Sequence, residues 1–273
     1  MAVNIDKPLG LTLIHLSTPI LLILLASGTP SASSLDDPTL TLKPPFLSGE
    51  RLVYDISWSG LNVGEGIQEI SPGHRFGDRD VLSAVSTAIS NDFISFFFPV
   101  KDRIESLIDA AGLYPHRIVI DQRHGRRKRY KEIHFNQTDH TARMIYKGSA
   151  TDYGIPPNVQ DALSSLYYFR ALPELPIGRS VFIDVHESKK NWRLEIQILG
   201  REKLKTVLGK VPTIKVKAVV LFEGVLMDKG DVYIWVTDDE RRIPVLMTGR
   251  IVIGSVTAAL SRFDPVKTVQ AVP

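Results

Sequence analysis

The chain has 273 residues, 44% hydrophobic and 23% charged, an ordinary balance for a protein able to bury a core without staples. Its 33 Lys and Arg exceed its 30 Asp and Glu by a formal charge of only +3, which commits it to no polyanionic partner. It contains no cysteine, so disulfides, thiol catalysis, thiolate metal sites and a lipidated cysteine are excluded.

Leu9 to Ala26 is nearly all apolar and leads into the small residues Ser27 and Gly28, the order of a secretory signal over residues 1–28. Retention as an N-terminal membrane anchor is the alternative, opposed by Pro19 and His15 inside the run. Export without disulfides points to a bacterial periplasm. Residues 29–45, rich in Ser, Thr, Asp and Pro, read as a flexible leader.

Regular structure is expected from Phe46. Leu52, Tyr54, Ile56 and Trp58 alternate with Val53, Asp55 and Ser57, the two-residue period of a half-buried strand. Gly60 and Gly64-Glu65-Gly66 punctuate a meander that resumes at Ile67 to Ile70. Further strands are predicted over Val81 to Ala88, Asp102 to Asp109, Leu113 to Asp121, Arg126 to Phe135 and Ala142 to Tyr146, with His124-Gly125 as a hairpin tip. Phe93, Phe96, Phe97 and Phe98 form a compact aromatic run closed by Pro99, read as core or as an exposed apolar rim.

One principal helix is predicted over about 158–171. Leu163, Leu166, Tyr167 and Arg170 have helical spacing, Asn158 or Asp161 can cap it, and Pro173 stops it. Strands then return over Val181 to Val185, Leu194 to Ile198, Ile214 to Val220, Val232 to Val236 and Ile243 to Ile253. The pattern predicts a mainly β protein whose antiparallel meanders form a curved sheet, half-barrel or sandwich over residues 46–261, in one unit or in two halves joined by the helix. Residues 262–273 read as a loose tail.

Catalytic signatures are sparse. The sequence has no Gly-x-Ser-x-Gly elbow, no His-Glu-x-x-His helix and no phosphate loop, and its seven His are scattered. No metal site and no cofactor are expected. Asp102, Glu105 and Asp239 are the carboxylates an envelope glycan or peptide hydrolase would use, although Asp238 to Arg242 reads first as a turn.

The strongest electrostatic feature is Arg123, Arg126, Arg127, Lys128, Arg129 and Lys131. Counting back by twos from Phe135 and Ile133 puts Lys131, Arg129 and Arg127 on one strand face with that apolar pair. Cations beside an apolar wall suit an amphiphile with an anionic head, since Arg grips phosphate bidentately. Nucleic acid is not expected, because the chain reads as exported and carries no recognised nucleic-acid motif.

Four segments resemble the bacterial family known as domain of unknown function 3108. They are Gly49-Glu50-Arg51-Leu52-Val53-Tyr54 leading to Gly64, Phe98 to Ser106 with Asp102 and Arg103, Asp161 to Arg170, and Trp235 to Val245 with Asp239, Arg242 and Pro244, followed by Gly254-Ser255-Val256. The resemblance spans residues 46 to 260 and implies an exported single domain with no catalytic residue to carry over. The strand ending in Trp235, its Asp turn and the Pro244-Val245 return are also similar to the curved half-barrels of periplasmic lipoprotein carriers, which hold acyl chains on a concave face.

The expectation is a non-catalytic periplasmic carrier of a lipid or other amphiphile. Arg127, Arg129 and Lys131 would meet the head group, and Phe93, Phe96, Phe97, Leu166 and Tyr167 the apolar part. The alternatives are a structural adaptor that binds an envelope protein near the membrane and, third, the hydrolase.

Overall fold

The computed structural model describes residues 27–28, 42, 44–46, 49–73, 75–187, 189–222, 225–226, 231–250 and 254–265. Residues 1–26 of the export segment and most of the leader lie outside them.

In chain order the elements begin with β1 (Ser27–Gly28), β2 (Glu50–Trp58), β3 (Leu61–Pro72), β4 (Val81–Ser90), α1 (Asp92–Phe97) and β5 (Val100–Asp109). Next come β6 (Pro115–His124), β7 (Arg127–Asn136), β8 (Thr141–Tyr146), β9 (Ser149–Gly154), α2 (Ser164–Ala171) and β10 (Ser180–Glu187). The chain ends with β11 (Lys190–Thr206), β12 (Gly209–Phe222), β13 (Val225–Leu226), β14 (Val232–Thr237), β15 (Pro244–Arg250) and β16 (Ser255–Pro265).

All strands belong to one antiparallel sheet, ordered β10-β11-β12-β14-β15-β16-β2-β3-β4-β5-β6-β7-β8-β9, with the two-residue β13 and β1 beside the end of β12. The expected curved β architecture is therefore present as one sheet. Its two edges, β9 and β10, meet through side chains and a linker. Asn191 Nδ2 donates to the Gly154 carbonyl at 2.8 Å, and Lys131 of β7 pairs with Glu187 of β10. The segment after β9 covers the β10 edge: Gln160 donates its N–H to the Asp184 carbonyl and accepts from the His186 N–H, both at 2.8 Å. Neither edge is left as a bare template for another chain at these points.

Helix α2 is a plug in the concavity, with Ser164, Ser165, Leu166, Tyr167, Phe169, Arg170 and Ala171 all buried. Tyr167 and Ala171 join the apolar cluster of Ile70, Leu82, Ile104, Ile118 and Phe135, while Phe169 joins that of Val181, Ile196, Val216 and Val236. The helix starts six residues later than its spacing predicts. Asn158 takes a positive φ of 54°, outside the right-handed helical region, and Gln160 is held extended against β10. The expected cap is at Asp161, whose Oδ1 accepts the Leu163 and Ser164 N–H groups at 2.7 Å each.

Three other segments differ from the sequence reading. Phe93 to Phe97 lie in the short exposed helix α1, started by Asn91 Oδ1 accepting the Ile94 N–H at 2.9 Å, so the run is the exposed apolar rim and not the core of the two readings, and it is helical. Ser149–Gly154 and Ser255–Pro265 are strands that apolar alternation did not reveal, the first because it is almost wholly exposed. The beginning of the expected tail is ordered too: Arg262 to Pro265 pair with Val53 to Glu50.

The helix is anchored by a buried ion pair. Arg170 is 1% exposed and grips both oxygens of Glu50 at the start of β2, with Nη2 to Oε2 at 3.0 Å. Its remaining donors reach the Arg241 and Arg242 carbonyls in the β14–β15 turn, each at 3.0 Å. The Phe46 and Tyr167 rings, edge-to-face with each other at 5.0 Å, both lie beside the guanidinium, at 5.2 and 5.7 Å. Burial works against the charge of Arg170, but Glu50 outweighs it and raises the pKa. Removing one partner leaves an uncompensated buried charge, which costs about 3–5 kcal/mol. We expect Glu50→Ala and Arg170→Met each to lower the urea unfolding free energy by about that amount, and the double variant to lose much less than the sum.

Asp109, buried at the far end of β5, accepts from Arg79 Nε at 2.8 Å, from the Gly112 N–H at 2.7 Å and contacts His116 Nε2 at 3.2 Å. Burial opposes its ionisation, yet these partners prevail and hold its pKa down at about 2. Its stabilisation is therefore present above the unfolded value of about 3.9 and fades as pH falls from about 4 to 2. The unfolding free energy from urea titrations across that window should fall by about 2 kcal/mol less in Asp109→Asn than in the parent.

Candidate functional site

Strand register identifies the inner face. Across β4, β5, β6 and β7, the paired sets are Ala88–Asp102–Gln122–Arg129, Ser86–Ile104–Ile120–Lys131 and Ala84–Ser106–Ile118–Ile133. Going the other way, Ala88 pairs Gly66, which pairs Tyr54, and Ser86 pairs Gln68, which pairs Leu52. Ile104, Ile118, Ile120 and Ile133 pack in the core beside α2, so this face is the concave one. Arg127, Arg129 and Lys131 share it with Ile133 and Phe135, because they alternate on one strand.

Along that face the two ends of the sheet differ. The end with the β14–β15 turn holds α2 and its Arg170–Glu50 pair. The opposite end, carrying the β2–β3 turn, α1 and the β6–β7 turn, is open. There Tyr54, Ile56, Gly66, Gln68, Ala88 and Met247 line an apolar cleft. Small residues make it: a Cβ on Gly66 would reach the Ile56 Cδ1 at 3.2 Å, so a larger side chain would fill the space. Gly64, one pair nearer the rim, must be glycine for another reason, since a Cβ there would run into the Ile89 carbonyl of β4. Tyr54 closes the floor, donating to the Pro244 carbonyl at 3.0 Å. Gln68 is 6% exposed, and its Oε1 has no hydrogen-bond partner among the described residues. An unpaired buried carboxamide oxygen costs about 1–3 kcal/mol, which a ligand donor or a water could recover.

Beside the cleft lies a polar belt. Asp102 is buried, with its Oδ1 and Oδ2 at 2.7 and 2.9 Å from His124 Nε2, and it accepts the Arg123 N–H at 3.2 Å. Burial raises its pKa, partly offset by these hydrogen bonds. Arg129 lies three strands from Ala88, about 14 Å along the wall at the usual strand spacing. Arg127 and Arg129 are exposed at the rim, while Lys131 is 2% exposed and paired with Glu187 at the sheet seam. Burial lowers the Lys131 pKa, and Glu187 resists that shift.

With Lys131 buried against Glu187 at the seam and not open to a head group, the other predicted site residues fall into three groups. Arg127 and Arg129 stand at the open end on the concave face. Phe93, Phe96 and Phe97 stand at the same end but outside the cleft, packed on each other with centroids 5.7 and 4.9 Å apart. Leu166 and Tyr167 belong to the plug, so they do not line the cleft.

The motif residues mostly clasp α2. Asp161 is buried at its start and accepts the Ser106 hydroxyl at 2.6 Å, and burial raises its pKa against that bond. Arg170 and Arg242 brace its end, where Arg242 donates to the Leu172 carbonyl and to the Pro173 carbonyl, the latter at 3.0 Å. Arg242 takes a positive φ of 46° to do so, and Asp239 fixes its turn by accepting the Thr237 hydroxyl at 2.6 Å and the Arg242 N–H at 3.1 Å. Pro244 supplies the carbonyl under Tyr54. Arg103 faces outward and pairs with Glu105 at 2.9 Å. The three carboxylates of the hydrolase reading are therefore separated: Asp102 inside, Glu105 outside, and Asp239 in the turn at the plugged end. They cannot act as the close pair that glycoside chemistry requires.

The family described as "Protein of unknown function (DUF3108)" matches residues 53–261. The chain belongs to it. No curated protein matches by sequence. Among solved structures, the fold is similar to a β-barrel-like protein of another family of unknown function, DUF1849, from Brucella abortus. That likeness has a TM-score of 0.57 at 9% identity and covers 81% of this chain and 99% of the other. A looser one, TM-score 0.32 at 12% identity, is to a predicted exported protein of YmcC-like fold from Bacteroides fragilis, covering 82% and 99%. The first supports the architecture alone. Among the described residues, no helix is long and apolar enough to cross a membrane.

Proposed function

We propose that this DUF3108 protein is a non-catalytic binding protein of the bacterial envelope, exported to the periplasm, that holds an amphiphile at the open end of its curved sheet. The observation that carries the reading is the apolar cleft at Tyr54, Ile56, Gly66 and Met247 on the same concave face as Arg127 and Arg129. The cleft has a volume of about 30 Å³, so it receives the end of an acyl chain and must widen to take more, each Å² of apolar surface removed from water contributing about 25 cal/mol. The anionic head then meets guanidinium groups able to bind phosphate or carboxylate through two parallel hydrogen bonds. Gln68, beneath the cleft, can accept a hydrogen bond through its Oε1 from a hydroxyl or amide donor of the bound molecule, away from the head. The N-terminal apolar segment supports export, and the absence of cysteine favours a bacterial periplasm as the destination.

The test is a titration with fluorescent phosphatidylglycerol and phosphatidylcholine analogues. The parent should bind the anionic analogue saturably. Gly66→Leu, whose Cβ would meet the Ile56 side chain at 3.2 Å, should weaken both analogues at least about tenfold, or 1.4 kcal/mol, in protein whose fold is verified by an unchanged thermal melt. Arg129→Glu should weaken the anionic analogue by a similar factor and leave the zwitterionic one nearly unchanged. No uptake by the parent, or binding indifferent to both substitutions, contradicts the proposal.

A further inference from the structure

We infer that the α1 end of the molecule is a docking face for an anionic phospholipid bilayer. Helix α1 buries none of its residues. Phe93, Phe96 and Phe97 are 66, 83 and 71% exposed, and Leu61 at the start of the neighbouring β3 is 54% exposed. Soluble proteins seldom leave four large apolar side chains together in water unless something covers them. The helix is nevertheless held firmly. Asn91 bonds its first turn and also donates to the Asn62 carbonyl at 2.9 Å, while Ser90 and Ser95 hydroxyls meet at 2.7 Å. Its exposure is thus a property of a fixed element.

The charge beside α1 selects the occupant. Gly125 at the β6–β7 turn donates to the Pro99 carbonyl at 2.8 Å, and the Phe98 ring lies against Gly125. This contact sets the basic hairpin next to the aromatic helix. Lys101, Arg123, Arg126, Arg127, Lys128 and Arg129 are all exposed there. Arg123 pairs with Asp121 at 2.8 Å, and Asp92 is the acid on α1 itself. A net charge of only +3 therefore conceals a local surplus at one end. Phenylalanines without hydrogen-bonding groups, flanked by Arg and Lys, suit insertion to the depth of the headgroup and acyl boundary, about 5–10 Å. Cations near an anionic surface each strengthen binding by about fivefold. The inference goes beyond the cleft reading and stands apart from it: the cleft concerns one bound molecule, the docking face a surface.

The absence of cysteine allows a single reporter. In the full-length chain, Phe96→Cys carrying an environment-sensitive NBD label should brighten and shift blue on phosphatidylglycerol-containing vesicles, and much less on pure phosphatidylcholine. An N-terminal apolar segment that bound vesicles would do so with either lipid and would not bury this label. In unlabelled full-length protein, Arg126→Gln with Lys128→Gln should weaken partitioning onto the anionic vesicles by about 25-fold. Phe96→Ser with Phe97→Ser should do so at least tenfold, and Gly66→Leu should leave it unchanged. All four substituted side chains of the first two variants are exposed, and unchanged thermal melting verifies their folds. A label that stays in water on anionic vesicles overturns the inference. So does binding insensitive to both double variants. Capture of a stoichiometric envelope protein on this face, with no response to vesicles, also overturns it and makes the face a protein interface.

Discussion

The buried guanidinium of Arg170 is the constraint around which this molecule is organised. It joins three distant parts of the chain: helix α2, Glu50 at the start of β2, and the carbonyls of the β14–β15 turn. A fully desolvated Arg is tolerable only when its donors are answered, and here a bidentate carboxylate, two carbonyls and two aromatic rings answer them. The consequence is directional. Glu50 and the turn lie at one end of the sheet, so the helix must sit there, and the opposite end of the concavity is left without a plug. The charge pair need not add net stability over an apolar substitute, but it specifies where the helix goes.

The open end inherits its properties from what α2 leaves behind. Tyr54 links the two regions, with its hydroxyl on Pro244 near the Arg170 pair and its ring in the cleft wall. Above it the strands carry Gly64, Gly66, Ala88 and Ala258 on the inner face, where the plugged half carries Ile, Leu and Phe. Small side chains in a curved wall make space, as larger ones would have made core. The rim is then furnished by the β6–β7 hairpin with its cations and by α1 with its phenylalanines. An amphiphile and the membrane that supplies it pose the same chemical demand, an apolar zone beside positive charge, and this end meets both.

Much of the fold was legible because sheet parity is a strict code. Alternation at Leu52 to Trp58, Val181 to Val185 and Ile214 to Val220 gave strands and faces, and counting by twos placed Arg127, Arg129 and Lys131 with Ile133 and Phe135. The code is silent where exposure removes the pattern, as in Ser149–Gly154, and where small residues replace large ones, as in Ser255–Pro265. The cleft escaped detection for that reason: Gly66 and Ala88 announce an absence of volume, which composition alone reads as a bend or a weak strand. Helical spacing found Leu166, Tyr167 and Arg170 but could not tell a plug from a ligand-contacting lid. That distinction depends on Glu50, which lies 120 positions away in sequence. Nor could spacing show that the Asp-Asp turn serves Arg242, whose positive φ is fixed by tertiary contacts.

The central claim is that the concave wall at the open end is the binding surface. A photoactivatable anionic lipid, with a diazirine in its acyl chain, tests it most directly when crosslinked peptides are mapped by mass spectrometry. The account predicts label on the strands that carry Tyr54 to Ile56, Gly66 to Gln68 and Ala88, competed away by unlabelled lipid. Competed label confined to the outer faces of the sheet, or to the plugged end around Arg241 and Arg242, would contradict it.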